Sequence, residues 1–316
     1  MDKAAMKFEL IYEITLDPDN PYTIQQLCSL NHVSRSGYYN WLSSREAHAQ
    51  REEQDRADFE LILKAATKKN RPKGVKQIYM NLLHLNPSVV MNQKKIRRLC
   101  KKFGLVCSIR KANPYRQMAK ALKTSTVADN LVERKFEEFG PRKILLTDIT
   151  YIPYNGHFAY LSTILDAFTK QILSYSVSDN LKVDFVLETV NKLFQNHGDE
   201  LHTDTIIHSD QGFHYTSIAF RELVKNKKIR QSMSRKGNCW DNAPQESFFG
   251  HMKDEIRELL KECESFEDVK RLLDDQIHYY NTERYQWNLA KLSPNEYYQY
   301  VTTGVYPLDQ TTSHDE

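Results

Sequence analysis

No apolar run in this 316-residue chain approaches the roughly eighteen residues that a membrane-spanning helix needs, so no membrane span is expected. The opening residues, Met1 to Lys7, lead into a mixed polar segment with no apolar signal core or cleavage site, which points away from export and toward the cytoplasm. Cys28, Cys100, Cys107, Cys239 and Cys263 form an odd set without C-x-x-C spacing, which speaks against a disulfide framework and a cysteine-rich zinc site. There is no internal repeat and no long low-complexity tract. What remains is a chain that is 40% apolar and 11% aromatic, and too long for one typical domain, so two or three folded modules are expected.

The most telling absence is of acid. Between Glu60 and Asp129 lie 68 residues without one Asp or Glu, and they carry 17 Lys and Arg, leaving 27 bases against all 41 acids elsewhere. A short charge run is ordinarily a solvated face. A stretch this long repels itself unless something neutralises it, and phosphate binding with counterion release is the evident reason to keep it. Nucleic acid is therefore the expected partner.

Helical spacing over Phe8 to Leu16 is followed by a helix that Thr23 can cap, then by V-S-R-S-G-Y-Y-N-W-L (33–42), where Ser34 caps a helix whose first turns carry Arg35 and Tyr38. Helix, turn and helix in that order fits a helix-turn-helix that offers Arg35 and Tyr38 to the major groove, and fits a plain three-helix bundle equally well. A charged helix is predicted over 47–69, and two shorter ones over 74–84 and 92–103. In the last, Lys94, Lys95, Arg97, Arg98, Lys101 and Lys102 surround the apolar stripe Ile96, Leu99, Cys100 and Phe103, which suggests a second helix-turn-helix with phosphate-facing sides. Residues 106–129, with Arg110 and Lys111, lack periodicity and read as a basic linker. The expected modules are thus 1–48, 49–105, the linker 106–129, a catalytic module over 130–302 and a tail, 303–316.

From residue 143 the pattern turns to strands: 143–153, 158–166 and 171–178 read as an antiparallel meander. A helix (183–196), strand (205–209), helix (217–225), strand (230–234) and long helix (244–263) follow, then helices over 266–282 and 294–302. That order predicts an α/β fold, a mixed five-stranded sheet with helices on its faces, preceded by an all-α DNA-binding region.

Three acids stand out. Asp148 interrupts a β-rich run, Asp210 ends a strand in H-S-D-Q-G, and Glu246 lies in the first turn of a helix that Pro244 can start, with 35 residues between it and Asp210. Singly, each reads as a cap or a solvated carboxylate. Together they suit phosphodiester transfer, in which two Mg²⁺ ions roughly 3.5–4 Å apart are held by hard oxygen ligands. Asp148, on a central strand, would bridge the ions.

The strings T-D-I-T-Y-I (147–152), Y-L-S-T-I-L-D-A-F-T-K (160–170), H-S-D-Q-G-F-H-Y-T-S (208–217), S-M-S-R-K-G-N-C-W-D-N-A-P-Q-E-S-F-F (232–249) and Y-Y-N-T-E-R (279–284) closely resemble the insertion-sequence-three family of bacterial transposases, the product of the second reading frame. The resemblance implies a ribonuclease-H-like fold shared with retroviral integrases, a metal site of two Asp and one Glu falling on Asp148, Asp210 and Glu246, and two Mg²⁺ or Mn²⁺ ions. It implies 3′-end cleavage and strand transfer at the element's terminal inverted repeats and target DNA, by at least a dimer in the bacterial nucleoid, with an upstream-frame protein as a further partner. It carries a basic residue seven after the Glu onto Lys253, two turns on along one helix face, either holding the DNA end or simply a surface lysine. Ile144-Leu145-Leu146 stands where the family often has a tryptophan, a packing change only.

Lys236 and Trp240 lie in the loop before Glu246, where Trp240 either stacks on an unpaired base or anchors the loop in the core. His208 reads as a metal-site residue or as a structural histidine at a strand end. No zinc module is expected. Two rival functions stay open: a DNA-binding regulator with an inert sheet domain, and a ribonuclease-H-type nuclease acting on RNA·DNA hybrids.

Overall fold

The computed structural model describes residues 3–71, 73–85, 91–106, 139–233 and 243–309. Arg110, Lys111, Lys236 and Trp240 lie outside them. Two compact units form, one drawn from Met1–Lys64 and Ile96–Leu105, the other from Ala65–Lys95 and Val106–Glu316. Among the described residues no helix is long and apolar enough to cross a membrane.

In the first unit, α1 (Lys3–Leu16), α2 (Ile24–Leu30) and the start of α3 (Arg35–Thr67) enclose Ile11, Leu27, Cys28 and Tyr38, with Phe8, Tyr12 and Trp41 packed against them. Thr23 and Gln26 close a capping box on α2, and the Ser34 hydroxyl accepts the Gly37 N–H at 3.0 Å, as the sequence predicts. The expected break after residue 42 is absent, and α3 runs unbroken for 33 residues. No Pro or Gly interrupts it there, and the Ser43 and Ser44 hydroxyls bond back to the carbonyls of Asn40 and Trp41 instead of competing with the helix.

The second unit holds a five-stranded sheet. Its strands are β1 (Ile144–Tyr154), β2 (His157–Asp166), β3 (Ile172–Ser178), β4 (Ile206–Ser209) and β5 (Arg230–Met233), in the spatial order β3-β2-β1-β4-β5. β1, β2 and β3 pair antiparallel, whereas β4 and β5 add in parallel on the other side of β1, so the sheet is mixed as expected. The β1–β2 hairpin turns through Asn155 and Gly156, both at positive φ (38° and 77°), the tight two-residue turn that an Asn-Gly pair favours.

Two helical layers cover the sheet. On one face Ile144, Leu146 and Ile152 pack with Phe248 and Met252 of α9 (Ala243–Ile256) and with Val269, Leu273 and Ile277 of α10 (Phe266–Thr282). On the other, Leu145, Ile164 and Ile207 pack with α6 (Asp184–His197), the short α7 (Phe213–Thr216) and α8 (Ile218–Asn226). The predicted long helix 244–263 ends at Ile256, and a 3₁₀ turn, Leu259–Glu262, follows. Helix α4 (Val75–Leu85) belongs to this unit: His84 stacks on Tyr285 at 3.4 Å, and Asn81 donates to the Ala65 carbonyl. α5 (Gln93–Lys102) carries the basic run, and α11 (Pro294–Thr303) closes the described chain.

Candidate active site and basic surface

Strand register brings the first two acids together. Antiparallel pairing sets Asp148 opposite Thr163, on the sheet face shared by Leu146 and Ile152, which α9 and α10 cover. Parallel pairing sets Leu146 beside His208. Two residues further along each strand come Asp148 and Asp210, and neighbouring strands lie only about 4.8 Å apart. Asp210 follows the last residue of β4, exposed, and its Oδ1 accepts the Gly212 N–H at 2.8 Å. Glu246, also exposed, occupies the first turn of α9 on the same side of the sheet.

Asp148 itself is only partly accessible, and its Oδ1 accepts the Ile149 N–H at 2.7 Å. Burial first, then the negative charges of Asp210 and Glu246, push its carboxyl up to about 7, against the pull of that hydrogen bond and of the Lys253 ammonium. Burial also draws Lys253 below its ordinary value, while Asp148 opposes that shift. Asp210, Glu246 and Lys253 therefore each lie within electrostatic reach of Asp148. Among the described residues, however, no group of three His, Cys, Asp or Glu side chains is gathered closely enough to hold a single metal ion.

One neighbour escaped the sequence reading. Gln245 is fully buried (0%), and its Nε2 donates to the Thr163 Oγ1, the residue opposite Asp148, so this bond pins the first turn of α9 to β2 beside Glu246. A glutamine next to an acid in a helix's first turn looks solvated in sequence, and nothing there marks it as buried. At Gly212, which the sequence marks as a tight turn after Asp210, an added Cβ would lie 2.8 Å from the Asp210 Oδ1. Gly212→Ala is expected to displace that carboxylate. The strand transfer that the sequence resemblance implies should then fall on the order of tenfold or more, as misplaced reacting groups do, with little loss of stability; an unaltered rate would show that the Asp210 carboxylate position is not critical.

His208 is 2% exposed, and its Nδ1 meets the Ser232 Oγ at 3.0 Å across the registered β4–β5 pair, a structural setting.

The basic surface differs from expectation. Arg35 is exposed and lies over the Tyr39 ring at 5.6 Å, but Tyr38 is 1% exposed with its ring inside the three-helix core, so it is not available to a DNA groove. Lys94, Arg97 and Lys101 are exposed, and Lys95 is half-buried. Arg98 forms a two-pronged ion pair with Asp55 of α3, both bonds at 2.7 Å, and Lys102 reaches Asp55 and Glu52. These cations hold Asp55 far below the usual carboxylate range. In the second unit Lys68 pairs with Glu283 at 2.8 Å, and Arg71 with Asp275 at 2.7 Å. Acids from outside the acid-free stretch thus pair with several of its bases, the exposed Arg98 and Lys102 among them.

A division of labour follows. Lys101→Ala should weaken binding to any duplex and lower the slope of log affinity against log salt by about one. Asp55→Ala, which removes the two-pronged partner of Arg98 and leaves Lys102 with Glu52 alone, should instead destabilise by about 1–3 kcal/mol in urea unfolding. An Asp55→Ala protein of unchanged stability would contradict this placement.

An integrase core domain family matches residues 139–239, a second integrase core family residues 227–294, and an HTH-like domain family residues 53–113. The chain is 31% identical over 257 residues to the putative transposase InsK for insertion sequence element IS150 of Escherichia coli K12, covering 77% of this chain and 89% of that protein. It is 27% identical over 233 residues to the transposase InsF for insertion sequence IS3A of the same organism, covering 73% and 78%. Among solved structures, the catalytic core domain of HTLV-2 integrase in complex with magnesium is similar at 17% identity and a TM-score of 0.39, covering 51% of this chain and 98% of that one.

Proposed function

The chain belongs to the insertion-sequence-three family of transposases, and from that premise we propose that it cleaves the 3′ ends of an insertion sequence and joins them to target DNA. It is a polynucleotidyl transferase on this reading, with Asp148, Asp210 and Glu246 as its catalytic carboxylates. The observation that carries the proposal is the placement of Asp148, Asp210 and the Glu246-bearing first turn of α9 together at one face of the sheet, by strand register and by the packing of α9.

An all-carboxylate donor set suits Mg²⁺ or Mn²⁺. A carboxyl driven up to about 7 by burial beside two further acids supports a cation there, because the site carries more negative charge than Lys253 offsets. Asp148, Asp210 and Glu246 would hold a pair of such ions without forming a cluster of three ligands, since Mg²⁺ keeps waters and takes phosphate oxygens from its substrate. When bound, such a pair activates the attacking oxygen and stabilises the leaving oxygen of an in-line displacement. The chain's own residues do the rest. Gln245 and Thr163 hold Glu246 at its depth, the Gly212 N–H orients Asp210, and the Lys253 ammonium meets a phosphate oxygen of the DNA end. Exposed bases, Arg35 and Lys101 among them, grip the duplex backbone outside the site.

The partners are double-stranded DNA, both inverted-repeat ends and target, and a second copy of the chain, because two ends must be joined. An upstream-frame protein is a further partner.

The test is to incubate the protein and Mg²⁺ with a duplex carrying the element's end. Nicked 3′ ends and joined strands that vanish with EDTA are expected. Binding without metal-dependent cleavage would turn the reading toward a regulator, and cleavage confined to RNA·DNA hybrids toward a ribonuclease.

A further inference from the structure

Beside α9 opens a cavity of about 390 Å³ that none of these roles uses. His251 of α9, Lys170 of the β2–β3 turn, and Arg284, Gln286 and Asn288 beyond α10 line it, with Phe248 and Tyr280, both nearly fully buried, on its inner wall. Three of its lining residues are basic types and none is acidic. Arg284 donates its Nε to Glu255 at 2.7 Å, while its two Nη groups make no hydrogen bond among the described residues. Five N–H donors in a planar fork with only one engaged are well suited to a phosphate. Burial, and then the Arg284 charge, lower the pKa of His251, which favours a neutral ring able to hydrogen-bond.

Size and chemistry together narrow the occupant. The volume falls within the range of about 300–1,000 Å³ typical of single-ligand sites, far too small for a duplex. An anion-seeking guanidinium, an aromatic wall and two amides form a set that matches phosphate, base face and base edge. The cavity shares its helix with the proposed chemistry. Ser247 and His251 line it one turn apart, while Glu246 and Lys253 occupy a different face of the same turns.

We propose that this cavity receives one unpaired nucleotide of the DNA substrate, its phosphate at Arg284 and its base against Phe248 and Tyr280 within reach of Gln286 and Asn288. The proposal rests on the transposase reading above. A strand held at Lys253 then places a neighbouring nucleotide in the cavity, so a frayed or unpaired end is preferred to a closed one.

Two labelled end duplexes, one blunt and one with three unpaired terminal nucleotides, test it by fluorescence anisotropy in EDTA, where no cleavage occurs. Wild type is expected to bind the unpaired end roughly tenfold tighter, the effect of stacking one base. Asn288→Glu, at an exposed position on the cavity, should abolish that preference by removing a base-edge amide and adding a negative charge to the cavity that takes the phosphate. Asn226→Glu, at an exposed position on α8 across the sheet, is the charge-matched control and should keep it. A wild type that binds both duplexes alike, or an Asn288→Glu protein that still prefers the unpaired end, overturns the nucleotide site alone. A wild type that binds neither duplex overturns the transposase reading with it.

Discussion

Replacing Asp148 by asparagine is expected to make the metal-free protein more stable above pH 7 while abolishing strand transfer. Burial and the neighbouring acids raise the Asp148 carboxyl from 3.8 to about 7, so the folded chain holds that proton more tightly than the unfolded chain does. Its contribution to stability is therefore greatest below about pH 4, declines as the pH rises toward 7, and is flat beyond. Asparagine has no such decline. At about 1.4 kcal/mol per pKa unit, the variant should gain roughly 2–4 kcal/mol at pH 8 and nothing near pH 4. For a unit of this size that is a rise of roughly 5–10 °C in melting temperature. Added Mg²⁺ should narrow the gap, because it stabilises the wild type and not the variant, with proton release near pH 7. Strand transfer should fall on the order of 10³-fold. Thermal denaturation at pH 4 and pH 8, with and without Mg²⁺, measures the first effect. A variant less stable than wild type at pH 8 would contradict the strained carboxyl.

The largest loss of stability is expected at Arg142, which precedes β1 and is 3% exposed. Its guanidinium meets Asp166 at 3.3 Å, Gln171 at 2.8 Å and Glu200 at 3.1 Å, and stacks over Tyr298 at 4.1 Å. Asp166 is fully buried at the end of β2, so Arg142→Met strands its charge in the core. Removing one partner of a buried pair costs about 3–5 kcal/mol, whereas Arg142→Met with Asp166→Asn should recover much of it. Urea unfolding of the single and double variants checks both. A single variant within about 1 kcal/mol of wild type would show that water reaches this pair.

The sheet and its acids were legible because they are written locally. The β-rich run through Asp148 and the Asp210-Gln211-Gly212 turn each announce an element within a dozen residues. Pairing is another matter: β1 meets β4 about sixty residues away in parallel register, and only that register aligns Asp148 with Asp210. The basic region misled for a related reason. Its missing acids sit at Glu52, Asp55, Asp275 and Glu283, close in space but outside the stretch, so sequence counted Arg98 and Lys102 as uncompensated. Tyr38 carried no mark of its direction, since in a short amphipathic turn an aromatic can face core or groove. The unbroken α3 shows that Ser43 and Ser44 end a helix only where their hydroxyls find no carbonyl one turn back.

The proposed reaction needs Asp148, Asp210 and Glu246 to act as one site. Single-turnover strand transfer in Mg²⁺, measured side by side for Asp148→Asn, Asp210→Asn and Glu246→Gln on folded protein, tests this most directly. All three should lose on the order of 10³-fold, as ligands of one shared site do, while still binding the end duplex. Wild-type strand transfer from any one of them would contradict it.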